Sequence, residues 1–356
     1  MVETLDETVD ETLDETGALL PTRAVVLTDG KAGDELQCLG VAEALGLAPE
    51  IRRVRPRRPF AWLAPRGPID PRERPGRPEG PLPEPYPDLV IASGRRAVPY
   101  LPALKRASDG RTFTAFLKDP RTGPSAADFV WVSEHDRLRG ETVLATLTAP
   151  HRVTPARLAA ARAAPDPRLA GLPGPRVAVL AGGDSRHHRF TDADQARLLA
   201  DLARLAREDG ARPMITASRR TPHALRAGLA RLAAETGGFF WDGSGENPYV
   251  ALLALADAIV VTADSTNMLG EAAASGAPVL VFAPTGGHRK FETLVSGLER
   301  QGVARPFRGR LEGTRYEPLD STPVVAAALA RAYRAHRAAL GLPQTALGEP
   351  AETRGE

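Results

Sequence analysis

AIVVTADSTNMLGEAAASGAPVLVFAP, residues 258–284, reads as a strand, a helix and a second strand joined by short turns. The run Ala258–Thr262 is apolar and β-branched, which suits a strand buried on both faces. Polar residues from Asp264 to Asn267 break it, the small residues of Met268–Ser275 suit a helix, and Gly276 stops that helix before a second strand at Pro278–Phe282. A strand–helix–strand unit with short joints builds a parallel α/β sheet. Ser265 or Asp264 can cap the helix, whose first turn then presents unpaired N–H groups and a positive dipole end. Such an end suits phosphate. One turn further in, Glu271 is placed to reach a ribose. The same residues also fit a plainer account, a capped helix with a solvated surface acid.

A chain of 356 residues has room for two domains of roughly 150 residues each. Its hydrophobic fraction of 42% and charged fraction of 25% are those of a globular protein, and a net charge of +2 gives no global field for nucleic acid. Charge is uneven, with an acidic head ahead of an arginine-rich stretch. The single cysteine, Cys38, excludes an internal disulfide framework and lies among apolar neighbours, as a buried structural thiol does. No apolar run nears the ~20 residues of a membrane helix, and the acidic N-terminus is unlike a secretory signal, so a cytoplasmic protein is expected.

The chain divides, on this reading, into an acidic tail at 1–20, a first domain at 21–165, a linker at 166–175, a second domain at 176–322, a helix at 323–341 and a flexible tail at 342–356. The tail repeats ETLDET and has too little apolar surface to fold. In the first domain the strand Arg23–Leu27 breaks at Asp29, Gly30, Lys31, Gly33 and Asp34 before a helix at Glu35–Leu45 with Leu36, Leu39, Ala42 and Leu45 on its apolar face. A glycine-bearing loop between strand and helix places a ligand at a strand's carboxyl end, although neither GxGxxG nor a Walker loop is present. Residues 55–87 are Pro/Arg-rich and read as an irregular insertion. Its arginines beside Phe60 and Trp62 suit anionic headgroups, which would bring residues 52–66 to the inner face of the cytoplasmic membrane; a solvated loop is the alternative. Ser93, as a cap, and Arg95 open a helix to Ala107 and form a further anion site, and Lys118 and Asp119 end the strand Phe113–Leu117.

The second domain restarts the pattern. Its first strand, Arg176–Leu180, ends in Gly182, Gly183, Asp184, Ser185 and Arg186, followed by His187 and His188. Adjacent histidines without HxxxH or HExxH spacing are not a metal site; beside Arg186 and Arg189 they suit a phosphate. Ser218 and Arg219 end another strand, and His288 and Lys290 follow the strand at Pro278–Phe282.

Gly182–Ser185 looks like the phosphate loop of MurG-like glycosyltransferases, and Ser265–Pro278 is similar to their donor-binding helix. That resemblance implies a GT-B fold: α/β, with two Rossmann-like domains facing across a cleft and a C-terminal helix crossing back to the first. It also implies that Glu271 holds the ribose while Ser265, Thr266 and Asn267 face the diphosphate. Across nearly the whole globular chain, LTDGKAGDELQ (27–37), ASGRR (92–96), FLKDPR (116–121), GGDSRHHR (182–189), TASRRTP (216–222), TADSTNMLGEAA (262–273) and HRKF (288–291) resemble the mitochondrial-fission, elongated-mitochondria protein family. Its bacterial members are described as glycosyltransferases and its plant members as factors recruiting a dynamin-like GTPase. TDGKAGD stands where MurG-like enzymes have a glycine-rich acceptor loop with a histidine.

The expected activity is sugar transfer from a nucleotide-diphosphate sugar to an envelope-glycan or lipid-linked acceptor. No metal or other cofactor is required, because helix dipoles and cations neutralise the leaving diphosphate. Asp119, Asp29 and Asp34 are candidate bases, with Asp119 alternatively orienting Lys118 and Arg121. A non-catalytic interaction protein and a nucleotide-sugar epimerase are the competing readings.

Overall fold

The computed structural model describes residues 22–347. The acidic repeats at 1–20 and the tail beyond 347 lie outside the described residues. The chain runs β1 (Ala24–Thr28), α1 (Ala32–Ala44), β2 (Glu50–Arg53), α2 (Arg58–Leu63), β3 (Leu89–Ser93), α3 (Tyr100–Ala107), β4 (Phe113–Leu117), β5 (Phe129–Ser133) and β6 (Val143–Thr146). It continues through α4 (Pro155–Ala163), α5 (Pro167–Ala170), β7 (Arg176–Ala181), β8 (His188–Arg189), α6 (Asp192–Glu208), β9 (Arg212–Ala217), α7 (His223–Glu235) and β10 (Phe239–Trp241). It ends with α8 (Tyr249–Leu255), β11 (Ala258–Thr262), α9 (Thr266–Ala273), β12 (Val279–Phe282), β13 (Thr285–Gly286), α10 (Arg289–Arg300), β14 (Ala304–Pro306) and α11 (Thr322–Ala339).

Two compact units result, one holding 22–132, 137–145 and 322–347, the other 133–136 and 146–321. The first carries a six-stranded sheet in the order β2-β1-β3-β4-β5-β6, with β1 parallel to β2 and β3, and β4 parallel to β3 and β5. The second carries β10-β9-β7-β11-β12-β14, every pair parallel. Numbered along its own unit, that second order is 3-2-1-4-5-6, the Rossmann arrangement. The fold is therefore α/β with two Rossmann-like units.

Central strands are sealed on both faces: β3, β4, β11 and β12 bury every residue. Such strands need helices on both sides, which is why their sequences are continuous apolar runs rather than alternating ones. Helix α6 opens on a capping box between Thr191 and Asp194 and lays Leu198, Leu202 and Leu205 onto Val177, Val179 and Ile215. Helix α11 packs on α1 and β4 of the first unit, with Tyr333 fully buried and edge-on to Phe113 at 5.8 Å.

Several expectations are corrected. Residues 155–163 belong to the second unit, because Leu158 joins that unit's core and α4 lies on α8. Within 166–175, α5 is a capped helical turn whose Leu169 is buried, so this stretch is not a bare linker. Of the expected apolar face of α1, Ala42 and Leu45 are buried, but Leu36 is 42% exposed and Leu39 half-buried, while Asp34, Gln37, Cys38 and Val41 turn inward. Ser93 caps no helix: turns occupy 94–99 and α3 starts at Tyr100. The insertion holds the helix α2 and is pinned by Arg57 on Asp70 at 2.7 Å and by the Tyr100 hydroxyl on Glu73. Part of the expected C-terminal tail is fixed: the Thr22 hydroxyl donates to the Ala346 carbonyl at 2.8 Å, and the hydroxyls of Tyr333 and Thr345 meet at 2.7 Å.

Candidate functional site

In the second sheet the strand order changes direction between β7 and β11. The helices that follow these strands leave on opposite faces, their loops part, and a crevice opens at the carboxyl ends. Gly182 and Gly183 leave β7 on one side; Asp264 and Ser265 leave β11 on the other.

Asp264 knots the two together from beneath. Its side chain is fully buried; Oδ1 accepts from the Thr262 hydroxyl at 2.7 Å, and Oδ2 accepts from Gly183 N at 3.0 Å and Arg220 Nη2 at 3.1 Å. Thr262 Oγ1 in turn accepts from Gly182 N at 2.8 Å. The Arg220 guanidinium also donates to the carbonyls of Gly183 and Asp184, and the Thr221 hydroxyl to that of Gly182. Close approach explains the glycine pair: a Cβ on Gly182 would lie 2.1 Å from Asp264 Oδ1, and one on Gly183 2.0 Å from the Arg220 carbonyl oxygen.

The rim is built the same way. Ser185 Oγ accepts from the amides of His187 and His188, and Asp184 Oδ1 from Phe190 N at 2.8 Å. Strand β8 pairs antiparallel with β13, joining the loop after β7 to the loop after β12. Asp194 holds that second loop by accepting from Thr285 N at 3.0 Å. Burial works against its charge, yet the bonds from Thr191, Thr285 and Arg197 keep its carboxyl well below the usual range.

Across the crevice Ser265 caps α9, its Oγ accepting from Met268 N at 3.4 Å, with Thr266 and Asn267 half-buried at the helix start. Arg186 and Arg219 are exposed on the loops after β7 and β9, and Arg289 is exposed at the first residue of α10. A positive helix end ringed by cations suits an anion. Glu271, one turn in, accepts from the Tyr249 hydroxyl at 2.5 Å. Burial pushes its carboxyl up to about 7, the Tyr249 bond opposing the rise. Tyr249 is pushed far up by burial and by Glu271's charge.

The first unit's loops are spent differently. Its sheet changes direction between β1 and β3, where Asp29 meets Gly94. Gly94 has φ +95, and a Cβ there would stand 2.7 Å from the Asp29 carboxyl. Lys31 donates to Asp29 Oδ2 at 3.2 Å, and Lys118 pairs with Asp34, so these ammonium groups face carboxylates of their own chain. Asp29 Oδ1 is buried with no hydrogen-bond partner among the described residues. Gly30 turns the chain with φ +86, and Gly33 lies in the first turn of α1. Asp119 accepts from Arg121 N within its own turn at 2.7 Å, and Lys118 goes to Asp34 instead. Ser93 donates to the Leu117 carbonyl at 2.9 Å, and Arg95 donates to the carbonyls of Ala61, Trp62 and Ala64 at the end of α2. Neither forms the expected anion site.

The profile described as Mitochondrial fission ELM1 matches residues 32–333. The chain belongs to that family. Among curated relatives, the mitochondrial fission protein ELM1 of Arabidopsis thaliana is 29% identical over 280 residues, spanning 71% of this chain and 64% of that protein. The match thus covers less than two thirds of the plant ELM1 relative's length. Among solved structures, UDP-N-acetylglucosamine 2-epimerase from Rickettsia bellii matches at TM-score 0.48 and 13% identity, covering 90% of this chain and 98% of that one. MurG of Acinetobacter baumannii matches at TM-score 0.44 and 13% identity, covering 92% and 97%. Both are similarities only; the strand orders given above establish the fold.

Within the second unit, Gly182, Gly183 and Asp264 are bonded to one another across the loops after β7 and β11, Asp184, Ser185 and Ser218 shape the adjoining turns, Ser265 caps α9, and Glu271 lies one turn into that helix. Asp184, Ser218 and Asp264 spend their oxygens holding loops, so their part is to shape the site. Arg220, Tyr249 and Asp194 were missed by sequence reasoning. Nothing in the Arg219–Arg220 pair shows which side chain turns inward, and Tyr249 meets Glu271 only after α8 and α9 pack in three dimensions. Asp194 had a signal, the Thr191-x-x-Asp194 cap spacing.

Proposed function

We propose that this protein is a GT-B-type glycosyltransferase that takes a nucleotide-diphosphate sugar at the switch point of its second sheet. The observation that carries this reading is the convergence, between β7 and β11, of a glycine pair, a capped helix start and Glu271. The diphosphate lies against the amides that open α9, with Arg186, Arg219 and Lys290 facing its charge. The ribose hydroxyls donate to Glu271 in place of Tyr249. The bond from the anomeric carbon to the diphosphate breaks as the acceptor oxygen bonds to that carbon. Charge developing on the leaving group is met by the helix dipole and these cations, which supports a reaction without a metal. The acceptor proton passes to a carboxylate as its oxygen bonds to the sugar.

Thermal shift with UDP-, GDP-, ADP- and CMP-sugars, on the wild type and on Glu271→Ala, tests this directly. One nucleotide class should stabilise the wild type, by about 2.7 kcal/mol at a hundredfold excess over Kd, and lose most of that effect in the variant. If no sugar nucleotide shifts the wild type while a control enzyme responds, the reading fails.

A second reading concerns the insertion. Helix α2 leaves Trp62 72% and Leu63 58% exposed beside the exposed Arg55, Arg58 and Arg66. An apolar tip ringed by cations suits peripheral contact with an anionic membrane, at the inner face of the cytoplasmic membrane on this reading. Co-sedimentation with vesicles containing phosphatidylglycerol should weaken in Trp62→Ser/Leu63→Ser and at raised salt; unchanged binding would remove the proposal.

A further inference from the structure

Four histidines gather where the loop after β7 meets the loop after β12. The β8–β13 pairing sets His188 opposite Gly286, and the rings of His187 and His288 lie 4.3 Å apart. His188 is 4% exposed, meets Phe291 edge-on at 4.6 Å, and its Nδ1 has no hydrogen-bond partner among the described residues. His135, from the short segment 133–136 of the same unit, faces His288 and Lys290.

The charged surroundings of each ring can be named. His187 faces His288, Arg186 and Lys290. His188 faces Asp264, His187, Arg220 and His288. His135 faces Asp136, at 3.4 Å, with Lys290 and His288. Glu292 comes nearest the loop at Gly287, where a Cβ would be 3.5 Å from its Oε1. His187 thus faces two cations, Arg186 and Lys290, while His188 and His135 each face one cation and one carboxylate, and Asp264 is already bonded to Arg220. Burial, and then the neighbouring cations, hold His187 below the ordinary imidazole value; for His188 and His135 burial leads and a nearby carboxylate opposes it. Set beside Arg186 and Lys290, the His187 imidazole would charge more readily with an anion next to it. The histidines do not form a metal site: among the described residues no group of three or more such side chains is arranged to hold one.

We propose that this cluster is a proton-linked anion site, in which His187, ring to ring with His288 at 4.3 Å, takes up a proton as a diphosphate group binds beside the start of α9. The proposal rests on the nucleotide-diphosphate reading and assigns that site a dependence on pH. His288 Nδ1 accepts from Lys290 N at 3.2 Å, which leaves its Nε2–H to donate to a phosphate oxygen beside the charged His187. The sign follows from linkage. A bound dianion favours the charged imidazole, its pKa rises on binding, and affinity grows as pH falls from 8 toward 5.5.

The test is titration calorimetry with UDP-glucose, whose diphosphate keeps its two charges over this range, at pH 8.0 and 5.5 and in buffers of differing ionisation heat. Wild type is compared with His187→Gln/His288→Asn, in which Asn keeps an acceptor at the α10 cap. Glu271 titrates in the same range and pulls the other way, but it is common to both proteins and cancels in the comparison. The ratio of affinity at pH 5.5 to that at pH 8.0 should fall by about tenfold in the variant, together with loss of measurable proton uptake. Inorganic sulfate, a dianion without a nucleoside, serves as second probe on the wild type alone. Proton-linked sulfate binding without UDP-glucose binding would keep the anion site and defeat the nucleotide reading. Proton-independent binding, the same pH ratio in the variant, or no binding of either probe would overturn the proposal.

Discussion

Glu271 carries an acid in a place that resists its charge. Its carboxyl sits at about 7 in the fold against 4.5 as an ordinary glutamate. A raised carboxyl binds its proton more tightly folded than unfolded, so its contribution is full below pH 4.5 and is lost as pH rises to 7. The loss amounts to about 3 kcal/mol. Glu271→Gln, which keeps an oxygen for Tyr249, should therefore gain on the wild type by about that amount between pH 4.5 and pH 8 in urea unfolding; parallel pH profiles would contradict it. Under the proposed function, a ribose diol donating to this carboxylate would favour its charged form. Gly183 is the second sensitive residue. A methyl group there meets backbone rather than a yielding side chain, so Gly183→Ala should cost about 1–3 kcal/mol and displace the loop after β7. Chemical denaturation and nucleotide binding measured on one preparation would check both effects.

Elements explain how single residues are held. The cap of α6 does two jobs, since Asp194 closes the capping box with Thr191 and also fixes Thr285 of the loop after β12. Thr191→Ala should cost about 1 kcal/mol. Asp194→Asn should cost more, because its depressed carboxyl contributes stability at neutral pH that is lost on acidification; unfolding at pH 7 and pH 3 would show the variant's deficit shrinking at the lower pH. The strands were legible in sequence because buried parallel strands are apolar throughout, and Phe113–Leu117 and Ala258–Thr262 match residue for residue. Less legible were features set by partners distant in sequence. The two-residue strands β8 and β13 carry no periodicity, yet they join the site's rim. Arg95 was read as an anion ligand from its place after a strand, and only the packed insertion reveals carbonyls as its partners.

At the scale of the whole chain, the path returns to the first unit in α11, where Tyr333 is buried against Phe113 and its hydroxyl meets Thr345 at 2.7 Å. Tyr333→Ala should cost roughly 3–5 kcal/mol, by analogy with large aromatic truncations. Hydrogen exchange should quicken in β1, β3 and β4 before it does in β7 and β11; equal acceleration in both sheets would contradict the division of the chain. That division was only partly readable from the sequence. The glycine–proline stretch at 166–175 signals a boundary, but Leu158 and Leu169 bury into the second core and pull the preceding helix with them. The candidate site was readable where backbone chemistry dictates residue type, in the glycine pair and the helix cap. It was not readable where charge is neutralised internally, as at Lys31 with Asp29 and Lys118 with Asp34. The most direct measurement is hydrogen–deuterium exchange of the intact chain with and without the sugar nucleotide that stabilises it most. Protection confined to 182–189, 263–271 and 285–291 is expected; protection absent from these three segments, or found only around Asp29 and Lys118, would contradict a nucleotide site at the switch point of the second sheet.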